Sequence, residues 1–183
     1  MRVKSATKEH KSATFQIAAA AIFAALVAVA TIIFVLPIGA TGGYFNLGEI
    51  FIYVAALLFG PFVGLFAGTG ASIADVVISP GYAPVTFIVK AVEGFLVGFL
   101  VKKFSSKIRN FTLCAVFAIL IGGFEMVMGY FVFESYMYGY AVALVALPVN
   151  VVQMLLGLVI AVSIVHVVLR VFPQFKNYLQ GMY

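Results

Sequence analysis

The chain has 183 residues, of which 64% are apolar and only 9% charged, and its mean hydropathy is +1.18. Soluble domains carry roughly 25% charged residues, so 11 basic and 6 acidic side chains cannot form the polar shell such a domain needs. The composition excludes an ordinary soluble protein and describes a single integral membrane domain over residues 1–183. A net charge of +5 does not mark a nucleic-acid partner, because the basic residues lie between apolar runs with no basic stripe interleaved with aromatics.

Arg2, Lys4, Lys8 and Lys11 precede an apolar run that Pro37 and Gly39 stop, which predicts helix 1 over 15–36. The run is too long for a signal peptide, and no small-x-small cleavage site follows it. Pro37 to Gly48 is rich in turn formers and reads as an ordered loop. Gly60-Pro61 then divides an apolar stretch into two short helices, over 47–59 and 61–78. After the turn Ser79-Pro80-Gly81-Tyr82 comes a helix over 83–102, with Lys102, Lys103, Lys107 and Arg109 at its end. A fifth helix over 111–132 leads into a loop, Phe133 to Gly139, and a sixth over 140–171 ends near Arg170 and Lys176. Six spans put both termini in the cytoplasm and place ten of the eleven basic residues on that side, all but Lys90. The expected fold class is therefore an all-α membrane protein of six transmembrane helices.

Charges inside the spans point to a site, because an unpaired charge in the bilayer is costly. Lys90, Glu125 and Asn150 all fall about 10–15 Å below the outer surface at 1.5 Å per residue. Glu93 and Gln153 follow Lys90 and Asn150 by three residues, on the same helix faces. Helices 4, 5 and 6 are thus expected to line one outward-opening polar pocket in which Lys90 pairs with Glu125; a purely structural Lys-Glu pair is the competing reading. Tyr44 and Asn46 in the first loop, Tyr82 and Thr86 near helix 4, and Tyr130 near the end of helix 5 would lie above it. Glu49 and Asp75 are expected near the outer surface, hydrated, with Asp75 structural and Glu49 undecided.

Helix 1 carries Ala20, Ala24 and Ala28 at spacing four, with Ala21 and Ala25 beside them, a face another helix can approach closely. Spacing alone favours internal packing, with a docking face for a partner subunit as the sharper alternative. Cys114, alone in an apolar run, reads as packing. The chain lacks the loops and motifs for ATP, zinc or dinucleotides, so no enzyme activity, cofactor or metal is expected. Its histidines, His10 and His166, fall at the cytoplasmic side, out of reach of an outward pocket. A stand-alone ion-coupled carrier or a non-transporting membrane scaffold would also fit this composition.

The order of several segments resembles the substrate-binding S components of energy-coupling factor (ECF) vitamin transporters. These segments are the alanine repeat of helix 1, Gly42-Gly43-Tyr44-Phe45-Asn46-Leu47-Gly48-Glu49, Leu58-Phe59-Gly60-Pro61, and Tyr82-Ala83-Pro84 through Lys90-Ala91-Val92-Glu93-Gly94. Within that group the chain is most similar to the riboflavin, hydroxymethylpyrimidine and pyridoxine type. The resemblance implies a multi-pass protein of a prokaryotic cell membrane that captures a vitamin, with hydroxymethylpyrimidine or pyridoxine favoured and riboflavin next. It further implies partnership with a transmembrane T component and two cytoplasmic ATPases, docking through Ala20, Ala21, Ala24, Ala25 and Ala28, and a lid formed by Thr41 to Asn46.

Overall fold

The computed structural model describes residues 2–105, 107–108 and 110–173, with side chains from residue 13 onward. The side chains of Arg2, Lys4, Lys8, His10 and Lys11, and residues Arg109 and Lys176, lie outside what is described. Six α-helices follow in order: α1 (Arg2–Ile33), α2 (Gly48–Phe59), α3 (Pro61–Ile78), α4 (Ala83–Phe104), α5 (Phe111–Tyr138) and α6 (Tyr140–Val171). Five contain stretches long and apolar enough to cross a membrane, and α2 is a shorter apolar helix. Large apolar side chains face outward along them, among them Ile22, Phe124 and Val159. Such a surface is stable only against lipid.

The helix ends follow local chemistry. Asn110 caps α5, its side chain accepting from the backbone N–H groups of Thr112 (2.9 Å) and Leu113 (3.4 Å). Gly60 joins α2 to α3 at φ 84°, a conformation costly for any residue with a Cβ, and Pro61 then opens α3 where no intrahelical donor is needed. Two boundaries correct the sequence reading. Helix 1 stops at Ile33, not Leu36, because Leu36–Pro37 (β1) pairs antiparallel with Tyr44–Phe45 (β2), Leu36 opposite Phe45 and Pro37 opposite Tyr44. The supposed loop from Phe133 is a continuation of α5 to Tyr138, since nothing breaks the helix before Gly139 (φ 91°).

At the centre stands α2, in contact with α1, α3, α4 and α6 and buried along its length except at Phe51. With 12 residues it is only about 18 Å long. Glycines bring its neighbours close: a Cβ at Gly68 would collide with the backbone carbonyl of Lys90, and one at Gly64 with that of Gly94. This α3–α4 approach sets the depth of Lys90 within the bundle. Gly68→Ala should therefore cost about 1–3 kcal/mol, whereas Gly81→Ala, with nothing within 4 Å of the added carbon, should stay within about 0.5 kcal/mol. Thermal unfolding in detergent measures both.

Candidate binding site

Lys90 reaches inward from α4 and its ammonium is sealed between two carboxylates, Glu49 of α2 and Glu93 one turn further along α4. Glu93 is 3.0 Å away. Tyr53 donates to the other Glu93 oxygen at 2.8 Å, and the side-chain amide of Gln153 donates to Glu49 at 3.3 Å. All five residues are buried. Close approach makes the arrangement possible, for a Cβ at Gly157 of α6 would sit 2.8 Å from Glu49 Cγ.

The expected Lys90–Glu125 pair is not formed. Glu125 is half-buried, makes no ion pair among the described residues and leaves Oε2 buried without a hydrogen-bond partner. Glu49 and Asp75 also depart from expectation. Neither is hydrated at a membrane surface; they are 1% and 3% exposed, because the first loop and α6 close over the outer ends of α2 and α3.

On the other side of Lys90 opens a narrow cavity with about 420 Å³ of empty space, open solvent included. Eight of the ten residues expected to bind substrate line it: Tyr44, Asn46, Tyr82, Thr86, Lys90, Tyr130, Asn150 and Gln153. Glu93 lies behind Lys90, and neither it nor Glu125 reaches the lining. Among the lining residues the sequence reading did not place in the site are Thr31 of α1, Asp75 of α3 and Glu134 of α5. The only sign of Glu134 in the sequence was an acid among tyrosines, read as a loop.

The β1–β2 hairpin and its exit to Asn46 roof the cavity. Asn46 donates its backbone N–H to Gln153 (2.8 Å) and accepts from Gly48 N–H (2.9 Å) and the Thr31 hydroxyl (3.4 Å), tying roof to wall. Tyr44 donates to Asp75, and Tyr82 donates to Glu134 at 3.0 Å. Burial, reinforced by those carboxylates, pushes both phenols above their usual range, so both stay protonated and keep donating. Tyr82 also stacks with Tyr138 and meets Phe133 edge-on, at centroid distances of 6.4 and 5.2 Å. Deeper, Tyr130 donates to Thr86 (3.0 Å) and sets its ring 5.7 Å from the Lys90 ammonium.

The five alanines of α1 divide by exposure. Ala20 is buried and Ala24 and Ala28 half-buried, with the Ala24 backbone against Gly70 of α3, while Ala21 and Ala25 face outward.

Residues 11–170 match the family model described as the ECF-type riboflavin transporter, S component. An uncharacterised protein from Pyrococcus woesei is 38% identical over 135 residues, covering 73% of this chain and 88% of its own length. The thiamine precursor transporter HmpT of Lactococcus lactis subsp. cremoris is 33% identical over 146 residues, with 77% and 80% covered. The fold resembles ThiT from Listeria monocytogenes (TM-score 0.66, 20% identity, 88% of this chain and 97% of that one). It also resembles the S component of a bacterial ECF transporter (TM-score 0.61, 16% identity, 91% and 98% covered). With a family model matched along most of its length and relatives above 30% identity, the chain belongs to the S components of ECF-type vitamin transporters, multi-pass membrane proteins and not enzymes.

Proposed function

We propose that the chain captures a small vitamin or vitamin precursor from outside the cell and holds it in the cavity above Lys90, with hydroxymethylpyrimidine or pyridoxine favoured and riboflavin next. One observation carries this reading: a narrow polar cavity within an apolar bundle, walled by charged and amide side chains that an inert scaffold would not bury. The HmpT relative, a thiamine precursor transporter, supports a ligand of pyrimidine size. In this reading Lys90, Asn150 and Gln153 contact the ligand's polar edge, with Asn46 and Thr86, while Tyr44, Tyr82 and Tyr130 exclude water. Glu93 acts through Lys90, and Glu125 stands outside the contact set.

At its centre the cavity has room for only roughly two water molecules. A ring must therefore enter by displacing the roof, and the hairpin, anchored by Tyr44 and Asn46, is the element that moves. Closing it over the ligand would shut water out. The chain carries no ATP-binding loop, so import against a gradient falls to a T component and two ATPases in a prokaryotic cell membrane, with both termini cytoplasmic. The exposed alanines, Ala21 and Ala25, present the smooth surface such a partner would pack on.

Two variants separate the parts of this proposal. Asn150→Leu should weaken binding of the cognate vitamin about tenfold or more, at about 1.4 kcal/mol per decade, with little change in thermal unfolding; calorimetric titration reads this. Ala21→Trp should bind like the unaltered chain yet lose most ATP-dependent uptake when reconstituted with its partners. Equal affinity in Asn150→Leu would remove Asn150 from the site, and full uptake by Ala21→Trp would move the docking face elsewhere.

A further inference from the structure

The charge balance of the cavity goes further than its size, on the premise that it is the vitamin site. Three ionisable groups other than tyrosine line it: Asp75, Lys90 and Glu134. Lys90 is the one cation among them, and its ammonium already serves Glu49 and Glu93. The lining and the ion cluster behind it thus set one ammonium against four buried carboxyl groups, Glu49, Asp75, Glu93 and Glu134. The lining phenols are also committed: Tyr44 donates to Asp75, Tyr82 to Glu134 and Tyr130 to Thr86.

Besides Glu125 Oε2, outside the lining, two carboxylate oxygens have no hydrogen-bond partner among the described residues. Glu134 Oε2 and Glu49 Oε1 are buried without a hydrogen-bond partner, and Glu134 is only 2% exposed while lining the cavity. A buried acceptor left unmade costs about 1–3 kcal/mol, more when it is charged. A ligand that donates removes that cost. A ligand that brings its own carboxylate or phosphate adds like-charge repulsion in a low-dielectric space, with no free cation among the described lining residues to offset it.

We infer that the site selects a neutral or cationic heterocycle bearing at least two N–H or O–H donors and rejects vitamins carrying a carboxylate or phosphate, with Glu134 and Asp75 setting that choice. Glu134 takes one donor from the roof side through Oε2. Asp75, across the cavity, takes a second when Tyr44 swings away with the hairpin. Lys90 then has a balancing role more than an anion-binding one.

The test is a calorimetric panel on the full chain in detergent micelles. It contains hydroxymethylpyrimidine and its monophosphate, pyridoxine and pyridoxal 5′-phosphate, riboflavin, thiamine and nicotinate. The best neutral or cationic member should bind at least about a hundredfold more tightly than any phosphate or carboxylate. Glu134→Gln should lose about tenfold for that member and narrow its margin over the phosphorylated partner. A phosphate or carboxylate bound as tightly as its neutral counterpart overturns the inference and leaves vitamin capture standing, as does a Glu134→Gln variant with an unchanged margin. Binding of no member by folded protein overturns the capture reading itself.

Discussion

One ammonium group between two carboxylates, in a bundle whose outside is lipid, constrains most of what surrounds it. Removing the Lys90 charge would leave Glu49 and Glu93 facing each other with Tyr53 and Gln153 as their remaining donors. Breaking a buried ion pair by deleting one partner typically costs about 3–5 kcal/mol. The surrounding structure is built to keep that group in place. Glycines at 64, 68 and 94 let α3 and α4 touch by backbone, and Gly157 lets α6 close on Glu49. The short helix α2 can afford its length because four neighbouring helices bury all of it but Phe51. Ion cluster and helix packing are therefore one feature, with depth fixed by glycines and charge fixed by three helices.

The roof is connected to that cluster through hydrogen bonds. From Asn46 the backbone N–H reaches Gln153, whose amide reaches Glu49, which holds Lys90. A displacement of the hairpin thus pulls on the group at the cavity floor. Tyr44 on Asp75 is the other fastening, a phenol on a carboxylate, and Tyr82 on Glu134 is a second such pair in the wall. Such pairs exchange readily with a ligand's own donors, because one hydrogen bond replaces another at little net cost. Entry of a donor-bearing ring through this roof needs no unfolding of the bundle, only the trade of two fastenings for contacts with the ligand.

Hydropathy made the helices legible, since a lipid-facing chain must satisfy its backbone internally and helices are the direct way. The Gly60-Pro61 break and the three-residue spacings Lys90/Glu93 and Asn150/Gln153 were equally plain, being local. What spacing along a helix cannot give is rotation about its axis. Glu125 stands outside the cavity lining, and Glu49, forty-one residues before Lys90, took its place through tertiary packing. Asp75 and Glu134 were hidden for a related reason. Acids near helix ends look solvated until a hairpin folds over them, and the aromatic run after Phe133 looks interfacial until Tyr82 is seen stacked among its rings.

Family membership accounts for the fold, and the cavity accounts for why a bundle this apolar buries so many polar groups at one end. The claim that joins them is that a single small molecule occupies the space between Lys90 and the hairpin. Native mass spectrometry of the protein purified gently from cells supplied with vitamins addresses it directly. The account predicts one non-lipid organic molecule per chain, lost when Tyr44→Phe and Asn46→Ala remove the roof's side-chain bonds to Asp75 and Thr31. Folded protein that carries lipid alone, with and without added vitamins, would contradict it.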